Sequence, residues 1–395
     1  MVLVLVGFRC PAEQSSLATL YARHQWFQLY AAVQGPATDR LRPFYRGAVA
    51  CAFNDLHQCE KLLSRIIRST SSQQASYNAA QEMESAYLRT GLYPRALSQA
   101  RMRLKLRPGD RDAERDIALL RTFTQSQSVV RRRRSTIKQP LTEGIPVEIN
   151  GRKGCYSMDT GALTSFISEA EALRLGLPIQ ASEAKIGNIA GHTTGLRTAV
   201  AKQLRIGEFV LRNVAFTVLP DGQAPFQSGP IDRRGVIGIP VILALGTVRA
   251  TDRMVEFGFP ASKNKELPNL AFDESQPITT ATVLGQKLTF LLDTGAQETY
   301  LYQPFADALP SVVQRGTKVT KQVTGIGGSV QMESLQLPEV PIEMGAFGGR
   351  LRPARLLLKK TTRGSEFFAG NLGMDFLSQA HRMTLDLVAM KVSLQ

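Results

Sequence analysis

The C-terminal two thirds of this 395-residue chain carry an internal duplication, which constrains the fold more than any other feature. The segment Asp159-Thr-Gly-Ala162 recurs as Asp293-Thr-Gly-Ala296, 134 residues further along. Three more landmarks recur at nearly the same spacing: Gly151 with Gly285, Gly238 with Gly373, and Asp252 with Asp386. So many landmarks in one register do not arise by chance, and they predict two lobes of the same fold.

Each copy consists of short apolar runs separated by Gly, Pro and Asn. Short runs rich in Val, Ile and Thr between turn residues are typical of strands. Many such strands favour closed or packed antiparallel sheets. We therefore expect a first β lobe over residues 136–262 and a second over residues 263–395.

Residues 15–125 differ in composition and pattern, with few Pro and Gly and with apolar residues at three- and four-residue spacing. This spacing predicts helices. Two segments in this region look alike at an offset of about 36 residues. The second resembles a tetratricopeptide repeat at these positions: Ala86, Tyr87, Gly91, Tyr93, Ala96 and Pro108. In the first copy Asp55 stands where glycine is expected, and a plain helical bundle is the alternative.

The sequence thus predicts a multidomain α plus β protein, with an N-terminal α-helical repeat module followed by two mainly antiparallel β lobes. Residues 126–135, which include four consecutive arginines, lie between these parts. Adjacent like charges repel and favour solvent, so this segment marks a linker or the edge of the next domain. We expect the lobes to fold and work without the module, because linkers separate units that fold alone.

The duplicated Asp-Thr-Gly-Ala segments bring one carboxyl group per lobe to the same structural position. Peptide hydrolysis needs a base that activates water and an acid that protonates the leaving nitrogen. Two carboxyl groups that share one proton can do both, because like charges a few ångströms apart do not both ionise. Asp159 and Asp293 are therefore the candidate catalytic residues.

At these residues the chain resembles the retropepsin-like aspartic peptidases, and more closely their bacterial two-lobed members with a helical module. The resemblance covers residues 135–395. Each lobe has the family's order of an apolar strand, Asp-Thr-Gly-Ala, a short helix, a glycine-rich hairpin and an apolar-apolar-Gly segment. It implies an aspartic endopeptidase that needs no metal or cofactor and binds polypeptide in extended form.

The resemblance also implies roles for the residues around the aspartates. Thr160 and Thr294 are expected to hydrogen-bond across the lobe junction. The remaining loop positions are small, which permits tight turns and close packing of a second segment under each loop: Gly161, Ala162, Gly295, Ala296, Gly238 and Gly373.

Two glycine-rich stretches are candidate flaps that close over an extended substrate. The flap positions are Gly187, Ile189 and Gly191 in lobe 1 and Gly325, Ile326 and Gly328 in lobe 2. One flap per lobe fits the retropepsin pattern, and ordinary hairpin turns are the alternative.

The formal net charge of +15 is concentrated in residues 1–134, which hold 21 Lys and Arg against 10 Asp and Glu. Such a basic region attracts anionic partners, and a solvated basic face is the alternative. No zinc-finger spacing or aromatic-interleaved basic motif indicates nucleic-acid binding. We therefore expect a protein partner on the helical module and no nucleic acid.

Residues 1–14 form a short apolar segment. It is either the remainder of a signal peptide, which implies export, or a buried element of a cytoplasmic protein. It is far shorter than a membrane span requires, and no transmembrane segment is expected. Among the four cysteines, Cys51 and Cys59 lie eight residues apart, and we expect them to be buried thiols in a helix pair rather than a disulfide.

Two other function classes compete with a peptidase. In the first, the helical repeats bind a partner and the lobes are vestigial, but both Asp-Thr-Gly segments are retained. In the second, the chain is another two-carboxylate hydrolase such as a glycosidase. The acids of those enzymes do not usually lie in duplicated Asp-Thr-Gly turns, so an aspartic peptidase is the favoured interpretation.

Overall fold

A computed structural model describes residues 16–35, 42–69, 71–187, 193–262, 266–325, 328–359 and 364–395. The helices of the N-terminal module are α1 (Leu17–Ala22), α2 (Trp26–Ala32), α3 (Arg42–Ala52), α4 (Leu56–Ser69), α5 (Gln73–Arg89), α6 (Tyr93–Leu106) and α7 (Arg111–Leu120). None of the helices in the described ranges has the length and apolarity that crossing a bilayer requires.

The first lobe contains β1 (Ser128–Arg131), β2 (Ser135–Ile137), β3 (Ile145–Ile149), β4 (Arg152–Met158), β5 (Ser165–Ser168), α8 (Glu169–Arg174), β6 (Gln180–Gly187), β7 (Thr193–Ile206), β8 (Phe209–Leu219), β9 (Gly235–Ile237), α9 (Ile239–Leu245), β10 (Thr247–Thr251) and β11 (Val255–Phe257). The second contains β12 (Leu270–Asp273), β13 (Gln276–Val283), β14 (Gln286–Leu292), β15 (Tyr300–Leu301), α10 (Gln303–Ala308), α11 (Pro310–Val313), β16 (Thr317–Gly325), β17 (Gly328–Leu337), β18 (Val340–Met344), β19 (Phe347–Leu351), β20 (Ala354–Leu357), β21 (Gly370–Leu372), α12 (Met374–Leu377), β22 (Arg382–Asp386) and β23 (Lys391–Leu394).

The two lobes repeat one pattern of strand pairing. In lobe 1, β9 pairs in parallel with β4 and antiparallel with β5. In lobe 2, β21 makes the same two pairings with β14 and β15. Each lobe therefore places the strand that ends at its aspartate beside the strand that ends before Gly238 or Gly373. The predicted fold class, a helical part followed by two β-rich lobes, is confirmed.

A five-stranded sheet of order β2-β11-β10-β22-β23 joins the lobes within one chain. Its central pair, β10 and β22, comes from equivalent positions of the two copies and runs antiparallel from Thr247 opposite Asp386 to Thr251 opposite Arg382. Backbone hydrogen bonds between equivalent strands fix the relative position of the lobes, and the main apolar core extends through both of them.

The Arg-rich segment lies at the edge of lobe 1 rather than in a free linker. β1 pairs antiparallel with β8, with Ser128 opposite Arg212, and β2 pairs with β11. The Nε of Arg131 donates to the backbone oxygen of Glu208 at 3.0 Å. Of the two alternatives, the structure therefore favours the domain edge. Charged side chains on an edge strand also discourage pairing with other chains.

The module consists of helical hairpins whose turns share one geometry. Each turn has a residue of positive φ after the first helix: His24 at 53°, Asn54 at 60° and Gly91 at 73°. Left-handed residues end helices because they direct backbone N–H groups back to the last free carbonyls. Asn54, not Asp55, takes the position equivalent to Gly91. The predicted alignment of the first repeat with the second is therefore wrong by one residue. Asparagine, like glycine, tolerates positive φ, so Asn54 can end the helix.

The structure joins Cys51 and Cys59 in a disulfide, with the two α-carbons 4.9 Å apart. The expectation of two free thiols is therefore wrong. The reason is the tight turn at Asn54, which makes α3 and α4 antiparallel and brings residues near their facing ends within the distance that a disulfide spans.

The module packs directly on lobe 2. Its helices share an apolar cluster with the lobe residues Ala271, Ile278, Leu291 and Phe368. The Arg89 side chain, 2% exposed, donates to the backbone oxygen of Glu274 at 2.7 Å and to that of Cys51. The Trp26 indole donates to Asp273 at 2.6 Å. The folding of the lobes without the module stays untested, and this shared core argues against it.

Deleting residues 1–125 is therefore expected to abolish the soluble monomer, because it exposes the apolar residues of lobe 2 that the helices cover. Size-exclusion chromatography and circular dichroism of the truncated chain are the measurements. A truncated chain that stays monomeric with the full-length thermal transition would contradict this expectation.

Candidate active site

Each aspartate lies directly after the strand that leads into its loop. The backbone N–H of Asp159 donates to the oxygen of Ile237 at 2.9 Å, and that of Asp293 donates to the oxygen of Leu372 at 3.0 Å. Both oxygens belong to the adjacent parallel strand, β9 or β21. The two lobes therefore hold their aspartates by the same backbone hydrogen bond, as the duplication predicts.

The two loops are tied together through Thr160 and Thr294. The N–H of each threonine donates to the hydroxyl of the other, at 3.1 and 3.0 Å. Each hydroxyl then donates to a backbone oxygen of the opposite lobe, that of Leu292 at 2.7 Å for Thr160 and that of Met158 at 2.8 Å for Thr294. These buried hydrogen bonds between lobes are the contact that the sequence predicted.

Glycine follows each threonine because the opposite carboxyl group occupies the space of a β-carbon. A Cβ at Gly161 would lie 2.9 Å from the Asp293 carboxyl atoms, and one at Gly295 would overlap with the Asp159 carboxyl group. The glycines were expected to permit a tight turn and a close approach that a Cβ would obstruct. The structure shows that they also bring the two aspartates face to face across the lobe junction.

Gly238 and Gly373 lie under the loops, as predicted. A Cβ at Gly238 would lie 2.5 Å from the backbone oxygen of Thr164, and one at Gly373 would lie 2.8 Å from that of Ala296. Ala162 also accepts a hydrogen bond from the N–H of Ile239 at 2.9 Å. In each lobe, the segment that contains this glycine therefore packs against the backbone of the aspartate loop.

The carboxyl groups accept hydrogen bonds from their own loops. Gly161 N–H donates to Asp159 Oδ1 at 2.7 Å, and Gly295 N–H donates to Asp293 Oδ1 at 2.9 Å. The Ala296 N–H donates to the same Asp293 oxygen at 3.0 Å. Such bonds stabilise an ionised carboxylate, so the loops are built to carry negative charge.

Burial raises the pKa of Asp159, and the neighbouring charge of Asp293 raises it further, against the opposing effect of the Gly161 and Ala162 amides. Asp159 therefore keeps a proton at a pH where an exposed aspartate has lost it. This arrangement suits a pair that holds one proton between two carboxyl groups.

Asn371, the first residue of the apolar-apolar-Gly segment in lobe 2, was missed by the sequence reasoning. Its Nδ2 donates to Asp293 Oδ2 at 2.8 Å. The equivalent residue in lobe 1 is Val236, which has no donor. The signal was visible in the sequence as a polar residue at a position where the resemblance implies an apolar one.

The candidate flaps belong to two hairpins, β6–β7 and β16–β17. Gly187 pairs with Thr193, and Gly325 pairs with Gly328, at the ends of these hairpins. Ile189, Gly191 and Ile326 lie outside the described residues, so the flap assignment stays a prediction. Within the described ranges, no group of three or more His, Cys, Asp or Glu is arranged to hold a metal ion.

Both lobes are similar to a known protein family. A family model described as aspartyl protease matches the chain twice, over residues 145–241 and 279–376, once in each lobe. None of the curated proteins matches the chain. Among solved structures, a retropepsin-like aspartic protease from Rickettsia conorii matches at 16% identity and a TM-score of 0.24, covering 34% of this chain and 95% of that chain.

The family matches do not extend into the helical module, whose likeness to tetratricopeptide repeats stays a prediction. Each of the two matched segments contains one Asp-Thr-Gly-Ala loop and the glycine that lies under it. The family match shows that each lobe is similar to the aspartyl proteases.

Proposed function

We propose that the protein is an aspartic endopeptidase that hydrolyses peptide bonds with a water molecule activated between Asp159 and Asp293. The observation that carries this proposal is the placement of the two carboxyl groups face to face within one chain. The paired threonines hold that placement, so the geometry is preorganised for the reaction.

In the proposed reaction, the ionised carboxylate removes a proton from the water as its oxygen bonds to the scissile carbonyl carbon. The protonated carboxyl group donates its proton to the carbonyl oxygen, which gives a tetrahedral diol. The carboxyl group that took the water proton then donates it to the peptide nitrogen, a hydroxyl of the diol gives its proton to the other carboxylate, and the C–N bond breaks. The products are a carboxylic acid and an amine, and the dyad again holds one proton.

We propose polypeptide in extended form as the substrate, because hairpins β6–β7 and β16–β17 follow the two aspartate loops in the family's order, and such flaps bind an extended chain by backbone hydrogen bonds. Each hairpin is tied to its own lobe by an ion pair. In lobe 1, Arg197 of β7 contacts Glu169 at 2.5 Å. In lobe 2, Lys321 of β16 contacts Glu298. We further propose export, because the Cys51–Cys59 disulfide suits an oxidising compartment.

Digestion of a peptide library by the purified chain, with and without pepstatin, tests the proposed activity. We expect internal cleavage of peptides that is suppressed by the inhibitor and unaffected by a metal chelator. Absence of cleavage over the range from about pH 3 to about pH 8 would favour the alternative in which the lobes only support a partner-binding module.

Activity is expected to persist into mildly acidic or neutral conditions and to fall as pH rises through the raised pKa of Asp159, since the dyad then loses its proton. By linkage, the free energy of unfolding falls between the ordinary pKa of an exposed aspartate and the raised pKa of Asp159, because the folded chain there holds a proton that the unfolded chain has released. Profiles of kcat/KM and of urea unfolding against pH measure both effects. A chain whose unfolding free energy rises through this interval would contradict the assignment.

A further inference from the structure

The duplicated lobes differ at one position that touches the dyad. Val236 and Asn371 are equivalent: each begins the Gly-terminated segment under its loop, and each pairs in parallel with the strand that carries the aspartate. Val236 is 5% exposed and packs with Ala162 and Phe166 in an apolar cluster. In lobe 2 the amide of Asn371 is directed to Asp293 instead. The symmetry of the two lobes is therefore broken beside the carboxyl groups.

Asp293 accepts hydrogen bonds on both of its oxygens. The N–H groups of Gly295 and Ala296 donate to Oδ1, and Asn371 Nδ2 donates to Oδ2 at 2.8 Å. Asp159 accepts on its carboxyl group from the N–H of Gly161, and the residue equivalent to Asn371, Val236, has no side-chain donor. Donors to a carboxylate favour its ionised form, so Asn371 stabilises negative charge on Asp293 more than on Asp159.

The orientation of the Asn371 amide fits this reading. Its Oδ1 is buried and has no donor among the described residues. The opposite orientation, which an Asp293 protonated on Oδ2 would need, places two N–H donors in that same buried position. Leaving two buried N–H donors without acceptors costs more free energy than leaving one buried carbonyl oxygen without a donor. The orientation in which Asn371 donates to Oδ2 of Asp293 is therefore preferred, and such a donor favours the ionised carboxylate.

Other charged groups near the lobe 2 loop are already paired. Glu298 lies against Lys321 and Arg355, and Asp375 at the start of α12 accepts from the N–H and hydroxyl of Thr299 at 3.0 and 2.6 Å. Among these side chains, Asn371 is the one that differs between the lobes and contacts a carboxyl oxygen of the aspartate pair.

We propose that Asn371 is a positioning residue that keeps the shared proton on Asp159, so that Asp293 is the base that activates water and Asp159 is the acid. This proposal rests on the proposed peptidase function. Two lobes with identical Asp-Thr-Gly-Ala loops would otherwise exchange these roles. A single asparagine thus fixes which of the two duplicated aspartates is the acid and which is the base.

Two single substitutions test the proposal on opposite limbs of the pH profile. Asn371→Val copies lobe 1 into lobe 2 and removes the donor to Asp293. The acidic limb of kcat/KM is expected to move upward by about one pH unit, because ionised Asp293 has lost a hydrogen bond. Val236→Asn adds a donor beside Asp159, and the basic limb is expected to move downward by a similar amount. The double exchange should restore a profile close to that of the wild type.

A residue with only a structural role would lower kcat/KM at every pH and leave both limbs in place. Unmoved limbs in folded Asn371→Val and Val236→Asn would therefore overturn the proposal. If Asn371→Val does not fold, Val236→Asn still decides the question, since it keeps Asn371 and adds a donor in lobe 1.

Titration of the aspartate side-chain carbons by NMR provides a readout that needs no peptidase activity. In the wild type we expect the Asp293 resonance to report an ionised group while that of Asp159 still reports a protonated one, and the double exchange should reverse this order. An order that is unchanged by the exchange overturns the proposal. Absence of peptide cleavage together with the expected order would instead reject only the peptidase function.

Discussion

Replacement of Asp159 or Asp293 by asparagine is expected to lower kcat/KM by at least about a thousandfold, because each variant loses a group that transfers protons in the reaction. Asparagine has nearly the same shape as aspartate and keeps the acceptor for the loop N–H. The fold should therefore remain, with a thermal transition close to that of the wild type. Peptide cleavage and circular dichroism of the two variants are the measurements.

Asp252→Asn is the matched control, since Asp252 is one of the duplicated landmarks but its side chain is 74% exposed. Its kcat/KM should equal that of the wild type. Mixing the two inactive variants in equal amounts tests whether one chain suffices. Recovery of activity in the mixture would show that the dyad forms between chains and would contradict the geometry in which both carboxyl groups meet within one chain.

Gly295→Ala is expected to be nearly as damaging, although it removes no chemical group. The added methyl would overlap with the Asp159 carboxyl group, so either that carboxyl or the loop must move. A displacement of about 1 Å in an active site can lower the rate by about a hundredfold. Overpacking of this kind also costs about 1–3 kcal/mol of stability. Measurements of kcat/KM and of the thermal transition should show both losses.

The matched control here is Gly348→Ala, at an exposed position of β19 where an added Cβ meets no atom within 4 Å. This variant should match the wild type in rate and stability. If Gly295→Ala behaves like Gly348→Ala, the two carboxyl groups are not held face to face, and the description of the dyad is wrong.

The two lobes and their aspartates were predictable because the evidence for them is local and repeated. An Asp-Thr-Gly-Ala segment after an apolar run specifies its own turn, and a second copy at constant spacing identifies the partner loop. The helices of the module were predictable for the same reason, since the spacing of apolar residues reports the buried face of each helix.

Contacts between distant segments were not predictable in this way. Arg89 reaches the backbone of Glu274 from another part of the fold, and the composition break near residue 126 gave no sign that the module and lobe 2 share a core. The Cys51–Cys59 disulfide depends on the exact position of the turn between α3 and α4. The sequence placed that turn one residue away from Asn54, where it lies.

The amino-acid sequence by itself determined the duplicated architecture and the pair of carboxyl groups, because residue type and spacing are sufficient to specify a short loop and its chemistry. Only the tertiary structure decided that the two carboxyl groups differ. Asn371 lies 78 residues beyond Asp293, and its amide acts on that carboxylate only because β14 and β21 pair in parallel and set the two side chains side by side. A hydrogen bond depends on distance and direction, and these exist only once the lobes have folded.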